Sequence, residues 1–156
     1  LFFLSNPLEI IQIWHGGMSS HGGFIGAALG VWFAARRLSV SLLALSDALS
    51  PVAALGLAMG RMGNIINQEF GSYPLYEGMG NLVIALLCYI VLRTSKRNGA
   101  VFGLFLLLYG VQRFLLEYVR PQEWSLLFGL SRGQLLTIPL VLVAVLVLVR
   151  AYKRRI

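Results

Sequence analysis

The stretch GQLLTIPLVLVAVLVLV, residues 133–149, decides the fold class of this chain, because it is almost entirely apolar and carries no charged side chain. The hydrocarbon core of a bilayer is about 30 Å thick and needs roughly 20 helical residues to cross it. With the polar residues at its ends included, the stretch is long enough to be a membrane helix. Four earlier charge-free stretches repeat the pattern, at residues 22–35, 48–60, 78–92 and 98–112. The sequence therefore predicts an all-α fold, a polytopic membrane helix bundle with about five transmembrane helices.

The composition of the whole chain agrees with a membrane protein. Of its 156 residues, 58% are hydrophobic and only 12% are charged, whereas soluble domains carry roughly 25% charged residues. This excludes a soluble globular domain and a disordered tail. The single cysteine, Cys88, lies within an apolar stretch, so one copy of the chain builds neither a disulfide framework nor a cysteine-based metal site.

The basic residues predict how the helices are oriented, because Lys and Arg accumulate in short cytoplasmic loops. If the chain alternates across the membrane, nine of its thirteen basic residues fall on one side. The nine are Arg36, Arg37, Arg93, Lys96, Arg97, Arg150, Lys153, Arg154 and Arg155. We therefore expect a cytoplasmic C-terminus. Orientation also explains the net charge of +7, so we expect no nucleic-acid partner.

The predicted spans also fix the domain organisation. We expect residues 1–156 to form a single integral membrane domain. Residues 1–14 are too short and too interrupted by polar residues for a full span, so we expect an interfacial or re-entrant segment there. Outer-side loops are predicted at residues 61–78 and 119–133.

Four arginines lie outside this pattern of orientation. They are Arg61, Arg113, Arg120 and Arg132. An arginine within a membrane helix costs from about 2.5 kcal/mol upward, so it persists where it has a partner, a water-filled cavity or an anionic ligand. At about 100° per residue, Arg113 shares one helix face with Tyr109, Glu117 and Arg120. A salt bridge between Arg113 and Glu117 is one interpretation. The other is an anionic lipid headgroup, since planar guanidinium groups match phosphate oxygens.

A second polar cluster, GRMGNIINQE at residues 60–69, lies at the outer end of the second predicted span. Arg61 supplies a charge-assisted donor there, and Asn64 supplies both donors and acceptors. One interpretation is a glycine-rich loop that caps a helix. The density of polar groups at the membrane boundary, Glu69 included, favours a ligand site.

The third cluster, HGGMSSHGG at residues 15–23, lies where the chain enters the first span. A histidine exchanges a proton near neutral pH, and paired glycines such as Gly22 and Gly23 let a backbone pack against a ligand. The histidine is either an interfacial anchor or a base. All three clusters are predicted on the same side of the membrane. A candidate base, several arginines and an acid together favour catalysis on a phosphate ester.

These motifs closely resemble those of bacterial prolipoprotein diacylglyceryl transferases. The matching segments follow in the family's order: HGGMSSHGGFIG (15–26), GRMGNIINQE (60–69), LYE (75–77), YGVQRFLLEYVR (109–120) and LSRGQLLTIP (130–139). The resemblance implies transfer of the diacylglyceryl group of phosphatidylglycerol to the lipobox cysteine thiol in the signal peptide of a preprolipoprotein, with release of glycerol phosphate. It implies the bacterial cytoplasmic (inner) membrane with a periplasmic active site, and neither a metal nor an organic cofactor. Relatives have further helices before the segment that corresponds to Leu1, and an extended outer segment before LYE.

The resemblance also assigns roles to individual residues. The functional set that it implies is His21, Arg61, Asn64, Glu69, Tyr109, Arg113 and Glu117. We expect His21 to be the base, and Arg61 and Arg113 to stabilise the departing phosphate, with Glu117 orienting Arg113. Asn64 and Tyr109 complete the headgroup contacts. Gly22, Gly23 and Arg120 are further candidates for substrate binding. Glu69 orients either His21 or an arginine.

Two other functions fit the same residues. A different phospholipid headgroup enzyme would need the same arginines and base, but would use water or an alcohol as acceptor. A non-enzymatic carrier of small anions would line a path through the membrane with arginines. The concentration of polar residues near one face disfavours the carrier.

Overall fold

The structure is a computed structural model that describes residues 20–69, 71–119 and 130–153. This part of the chain contains five helices, and each of them corresponds to one of the five predicted stretches. They are α1 (Ser20–Arg37), α2 (Leu42–Ile66), α3 (Tyr73–Thr94), α4 (Ala100–Leu116) and α5 (Arg132–Lys153). The all-α prediction is confirmed. The segment 1–14, predicted to be interfacial or re-entrant, lies outside the described residues.

Three of the described helices are long and apolar enough to cross a bilayer. They are α2, α3 and the part of α5 over Gly133–Lys153, whereas α4 is a shorter apolar helix of 17 residues. Large apolar side chains such as Val52, Leu86 and Leu146 are more than half exposed on these helices. Helices with apolar outer surfaces suit a lipid environment, where each satisfies its own backbone hydrogen bonds. The prediction of a polytopic membrane helix bundle is confirmed.

The chain divides into two compact units, Leu1–Val40 and Ser41–Ile156. The first unit contains α1, where the guanidinium of Arg36 lies 5.3 Å from the ring centroid of Trp32. The second unit is the bundle of α2, α3, α4 and α5.

Within the bundle, α2 packs mainly on α3 and α4 mainly on α5, while α4 also contacts α2 and α3. The buried cluster between the helices is built from small and medium side chains: Ala54, Ile84, Cys88 and Val101. A Cβ added at Gly103 would lie 2.7 Å from the Leu148 side chain, and one at Gly110 the same distance from Val141. Small residues at membrane helix interfaces permit this close approach.

The connection between α2 and α3 is shorter than the loop predicted at 61–78. Helix α2 continues through Arg61 to Ile66, and α3 already begins at Tyr73. A proline in the first turn of α3, Pro74, favours this early start, because its missing N–H needs no partner there. Arg61 and Asn64 therefore lie on α2 and Glu77 on α3, rather than in a loop.

The loop predicted at 119–133 is described only at its two ends. Helix α4 ends at Leu116, and residues 120–129 lie outside the described part of the chain. The start of α5 is fixed by a capping box. The backbone N–H of Ser131 donates to Oε1 of Gln134 at 3.0 Å, and that of Gln134 donates to Oγ of Ser131 at 3.1 Å.

Successive helices of the bundle run in opposite directions, which gives it two chemically different ends. At one end, which we call the site end, α2 and α4 finish and α3 and α5 begin. The opposite end, which we call the basic end, carries Arg93, Lys96, Arg97, Arg150 and Lys153. These five are among the nine basic residues that the sequence predicts on one side of the membrane, and they lie at one end of the bundle.

A buried carboxylate organises the basic end. Asp47, 6% exposed, accepts the backbone N–H of Gly99 at 2.6 Å and that of Phe102 at 2.7 Å. These are donors of the first turn of α4, which have no acceptor within the helix itself. Asp47 on α2 therefore caps α4, and it ties the two helices together.

Candidate active site

One buried carboxylate at the site end holds two arginines from different helices. Glu77 on α3 is 1% exposed. Arg61 of α2 donates from Nη2 to its Oε1 at 3.0 Å. Arg113 of α4 donates from Nη1 to Oε2 at 3.2 Å and to Oε1 at 3.3 Å. Three helices are thus joined through a single ion-pair centre.

Residues near Glu77 on α3 add further contacts with α4. Tyr73 lies four residues earlier, on the same helix face, and its hydroxyl accepts Nη1–H of Arg113 at 2.8 Å. Gln112 donates from Nε2 to the backbone oxygen of Glu77 at 2.9 Å. Gly80 leaves the space for this contact, since a Cβ there would lie 2.5 Å from Oε1 of Gln112.

The cluster continues outward along the GRMGNIINQE segment through hydrogen bonds between side chains. Nη1 of Arg61 donates to Oδ1 of Asn64 at 3.0 Å, and Nδ2 of Asn64 donates to Oε2 of Glu69. Asn67 donates to the other oxygen of Glu69 at 3.5 Å. The chain of contacts runs from the buried Glu77 to the exposed Glu69, so it links the interior of the bundle with its surface.

The two guanidinium groups are partly accessible, unlike the carboxylate that holds them. The side chains are 26% exposed for Arg61 and 22% for Arg113, against 1% for Glu77. Each guanidinium has five N–H donors. Arg61 uses two of them in the bonds given above, and the bonds of Arg113 all run through Nη1. The remaining donors suit a phosphate, which planar guanidinium groups bind through paired, charge-assisted hydrogen bonds.

Tyr109 lies one turn before Arg113 on α4. Its ring stacks on Phe105, with centroids 6.0 Å apart and an interplanar angle of 19°. Tyr109 lies close enough to Arg113, Glu77 and Arg61 to interact with them electrostatically. It therefore belongs to the same cluster, on the side that faces the core.

Glu117 lies where α4 ends and α5 begins. It is 5% exposed, and a Cβ added at Gly133 would lie 2.8–2.9 Å from its carboxylate. Arg113 is near enough to interact with Glu117 electrostatically, but the hydrogen bonds given for Arg113 lead to Glu77 and Tyr73. The role of Glu117 in orienting Arg113 stays a prediction.

Comparison of the sequence with known protein families identifies the family of this chain. The family model of prolipoprotein diacylglyceryl transferase matches residues 1–150. The chain belongs to the prolipoprotein diacylglyceryl transferase family. The resemblance predicted from the motifs is confirmed, and with it the prediction of a transferase at the level of the family.

Individual relatives agree with this assignment. Three proteins named phosphatidylglycerol–prolipoprotein diacylglyceryl transferase illustrate the range. The one from Janthinobacterium sp. (strain Marseille) is 34% identical, over 99% of this chain and 68% of the relative. The one from Methylocella silvestris is 37% identical, over 98% of this chain and 66% of the relative. The one from Chromohalobacter salexigens is 38% identical, over 90% of this chain and 62% of the relative. The chain thus spans about two thirds of the length of these relatives.

Several residues that the family resemblance singled out are not placed relative to the arginines. His21 and Gly22 lie on α1, in the first unit. The surroundings of both residues are outside the described part of the structure. Gly23 is exposed on the same helix. Arg120 is among residues 120–129, which are not described. The meeting of His21 with Arg61 and Arg113 therefore stays a prediction.

Sequence reasoning missed Glu77 as a site residue, together with Tyr73 and Gln112. It paired Arg113 with Glu117, just after the end of α4, rather than with Glu77 on α3. A signal was present, because LYE is one of the family-like motifs and Glu77 directly precedes a charge-free span. An acid at the edge of a membrane helix needs a partner, and unpaired arginines were predicted at the same side.

The described residues contain no group of three or more His, Cys, Asp or Glu side chains that could hold a metal ion. The expectation that the family uses neither metal nor organic cofactor stays a prediction.

Proposed function

We propose that this protein transfers the diacylglyceryl group of phosphatidylglycerol to the lipobox cysteine thiol of a preprolipoprotein, the first step of bacterial lipoprotein maturation. The observation that carries the proposal is the pair of partly exposed guanidinium groups, Arg61 and Arg113, held on the buried carboxylate of Glu77. Relatives support it, because the similar proteins carry a name that refers to the same lipid and the same class of acceptor.

At the reacting carbon of the lipid, one bond forms and one breaks. The thiolate sulfur attacks the glycerol carbon that bears the phosphodiester, so a carbon–sulfur bond forms. The carbon–oxygen bond to phosphate breaks, and its electron pair leaves on glycerol phosphate. The proton of the thiol goes to a base. The products are a thioether-linked diacylglyceryl peptide and glycerol phosphate.

The two arginines are proposed to stabilise the departing phosphate. Negative charge on the phosphate rises as the carbon–oxygen bond breaks, so fixed positive groups stabilise the transition state more than the bound ester. Glu77 has two functions in this arrangement. Its negative charge reduces the repulsion between the two guanidinium groups. Its two oxygens also hold them in place, which leaves their other N–H donors for the phosphate.

The thiol needs activation, because a cysteine of ordinary pKa, about 8.5, is mostly protonated at neutral pH. His21 is the proposed base. Asn64 and Tyr109 are proposed to contact the headgroup, and Glu117 to act on Arg113. Gly22, Gly23 and Arg120 are proposed to line the substrate, and Glu69 to hold Asn64 or a catalytic partner. The nucleophile belongs to the peptide, so the chain needs no catalytic cysteine of its own.

The placement in the membrane follows from the two ends of the bundle. The protein is a multi-pass membrane protein. We propose that it lies in the bacterial cytoplasmic membrane, with the basic end and the C-terminus in the cytoplasm and the site end at the periplasmic face. Support comes from the five described basic residues at the basic end, in line with the preference of Lys and Arg for cytoplasmic loops.

The direct test is to incubate the purified protein with phosphatidylglycerol and a lipobox peptide, and to detect the modified peptide by mass spectrometry. We expect a thioether-linked diacylglyceryl peptide, and none when the lipobox cysteine is serine. His21→Gln should slow transfer strongly and leave lipid binding intact. Met62→Ala, next to Arg61 but with a 60% exposed side chain, is the control and should retain activity.

The two other candidate functions give different results in the same assay. A headgroup enzyme that uses water or an alcohol would release glycerol phosphate without modifying the peptide. A carrier of small anions would release nothing, but would conduct anions in liposomes, and His21→Ala would leave that flux unchanged. Either result would contradict the proposal.

A further inference from the structure

The side chain of Asn81 on α3 is buried and has no hydrogen-bonding partner among the described residues. It is 1% exposed, and neither Oδ1 nor Nδ2 forms a hydrogen bond within the part of the chain that the structure describes. A buried amide left without a partner costs about 1–3 kcal/mol. A leucine of similar size would avoid this cost in a membrane helix. Packing alone therefore does not explain an asparagine at this position.

The position of Asn81 connects it with the arginine cluster. It follows Glu77 by four residues and so lies on the same face of α3. At 1.5 Å per residue, it is roughly 6 Å farther from the site end. Tyr109, which interacts electrostatically with Glu77, packs against the buried cluster that contains Ile84, the next buried residue of α3 after Asn81. Asn81 thus continues the polar face of the site by one turn into the apolar interior.

The bonding pattern of a phospholipid matches this order of groups. Its ester carbonyls lie a few bonds from the phosphate, on the side of the acyl chains. When the phosphate meets Arg61 and Arg113, the ester carbonyls fall at the level of the next turn of α3. An ester carbonyl accepts a hydrogen bond but cannot donate one, and the Nδ2 group of an asparagine is a donor of the matching kind.

We propose that Asn81 is a substrate-binding residue whose Nδ2 donates a hydrogen bond to an ester carbonyl of the bound diacylglyceryl lipid. This inference rests on the proposed function, since it names the contact that distinguishes a diacyl lipid from one with other linkages. The contact supplies the partner that the buried amide otherwise lacks. It also fixes the depth at which the glycerol carbon lies relative to the arginines.

A flexible side chain lies beside the turn that carries Asn81. Gln112 crosses α3 at Gly80, the residue before Asn81, and its amide would be 2.5–2.8 Å from a Cβ at that position. It is bound there by its hydrogen bond to the backbone oxygen of Glu77. We expect a ligand to reach this turn when Gln112 rotates between staggered conformers, without movement of a helix.

The test measures binding of two lipids that differ only in the group that Asn81 would recognise: phosphatidylglycerol with ester-linked chains, and its ether-linked counterpart without carbonyls. Each is titrated into the purified full-chain protein in detergent. One neutral hydrogen bond corresponds to a preference of about three- to ten-fold for the ester lipid. Asn81→Leu should abolish this preference by weakening the ester lipid alone. Ile84→Val, a change at another buried position of the same helix, should keep it.

The possible results separate this inference from the proposed function. If the wild-type protein does not distinguish the two lipids, or if Asn81→Leu still does, the contact is refuted. Equal weakening of both lipids would also refute it, because it would indicate that Asn81 acts through a buried water or through Glu77. Asn81→Ala gives the same readout if the leucine variant does not fold. Wild-type protein that prefers the ester lipid through Asn81 but modifies no peptide would support the contact and contradict the proposed function.

Discussion

At the scale of single residues, the account depends on how Glu77 holds Arg61 and Arg113. In the proposed function their joint position gives the site its chemistry, because two fixed cations near one phosphate stabilise charge that a single mobile arginine would not. The sequence pointed to both arginines through the cost of burying them in a membrane. It did not point to Glu77, because pairing across three helices depends on how α2, α3 and α4 pack, and local spacing favoured Glu117.

Replacing Glu77 by glutamine removes the negative charge while keeping the shape of the side chain. We expect Glu77→Gln to reduce transfer at least tenfold, because Arg61 and Arg113 then repel each other and lose their fixed positions. Loss of one partner of a fully buried ion pair costs about 3–5 kcal/mol. The arginines are about a quarter exposed, so a loss of stability of about 1–3 kcal/mol is expected here. Transfer rates and thermal unfolding in detergent measure the two effects.

The control for this variant is Tyr76→Phe, at the preceding, half-exposed position of α3. It should leave both rate and stability unchanged. Normal transfer by Glu77→Gln would show that the arginines do not need this carboxylate.

At the scale of secondary structure elements, the starts of two helices each receive a carboxylate from elsewhere in the bundle, one at the site end and one at the basic end. The start of α5 carries Gly133, and the Glu117 carboxylate occupies the space where a side chain would be. The start of α4 is capped by Asp47 from α2. The sequence predicted the number and order of helices well, since hydropathy alone marks the spans. It misjudged the 61–78 boundaries, because residues 61–66 belong to α2 and residues 73–78 to α3, where polar side chains of the two helices bind one another.

Gly133→Ala tests whether the position of Glu117 matters. The added methyl group would lie 2.8–2.9 Å from its carboxylate, so Glu117 must move. We expect transfer to fall several-fold, together with a stability loss of about 1–3 kcal/mol from overpacking. Gly56→Ala on α2 is the matched control, since no described atom lies within 4 Å of its added Cβ. If both variants transfer equally well, Glu117 has no role that depends on its present position.

Asp47→Asn tests the cap at the basic end, far from the proposed chemistry. We expect the variant to lose about 1–2 kcal/mol of stability, because the first turn of α4 loses a charged acceptor. The transfer rate per folded molecule should stay normal. Ser41→Ala is the control, because Ser41 occupies the N-cap of α2 but its side chain makes no capping hydrogen bond. Equal melting temperatures for the two variants would contradict the role of Asp47.

At the scale of the whole molecule, the two ends of the bundle define its function. Charge at the basic end is proposed to orient the protein, and the arginine cluster lies at the other end of the same helices. The sequence predicted this division because nine basic residues follow the alternation of spans. Sequence could not predict whether His21 meets the arginines, since that depends on the arrangement of α1 relative to the bundle rather than on any local pattern.

Cysteine labelling tests the proposed orientation. In a Cys88→Ala background, Ser72→Cys lies in the connection at the site end and Asn98→Cys in that at the basic end. We expect an impermeant maleimide to label Ser72→Cys from the periplasmic side, and to reach Asn98→Cys only after the membrane is opened. The reverse pattern would place the arginine cluster toward the cytoplasm.

The most direct measurement of the central claim is the affinity of Arg61→Ala and Arg113→Ala for phosphatidylglycerol, with diacylglycerol as the ligand that lacks a phosphate. We predict that each substitution weakens binding of the phospholipid at least tenfold, since a charge-assisted hydrogen bond contributes about 1.5–3 kcal/mol, and leaves binding of diacylglycerol unchanged. If both variants stay folded in the membrane and bind phosphatidylglycerol as tightly as the unaltered protein, the arginines do not grip the lipid phosphate, and the account is contradicted.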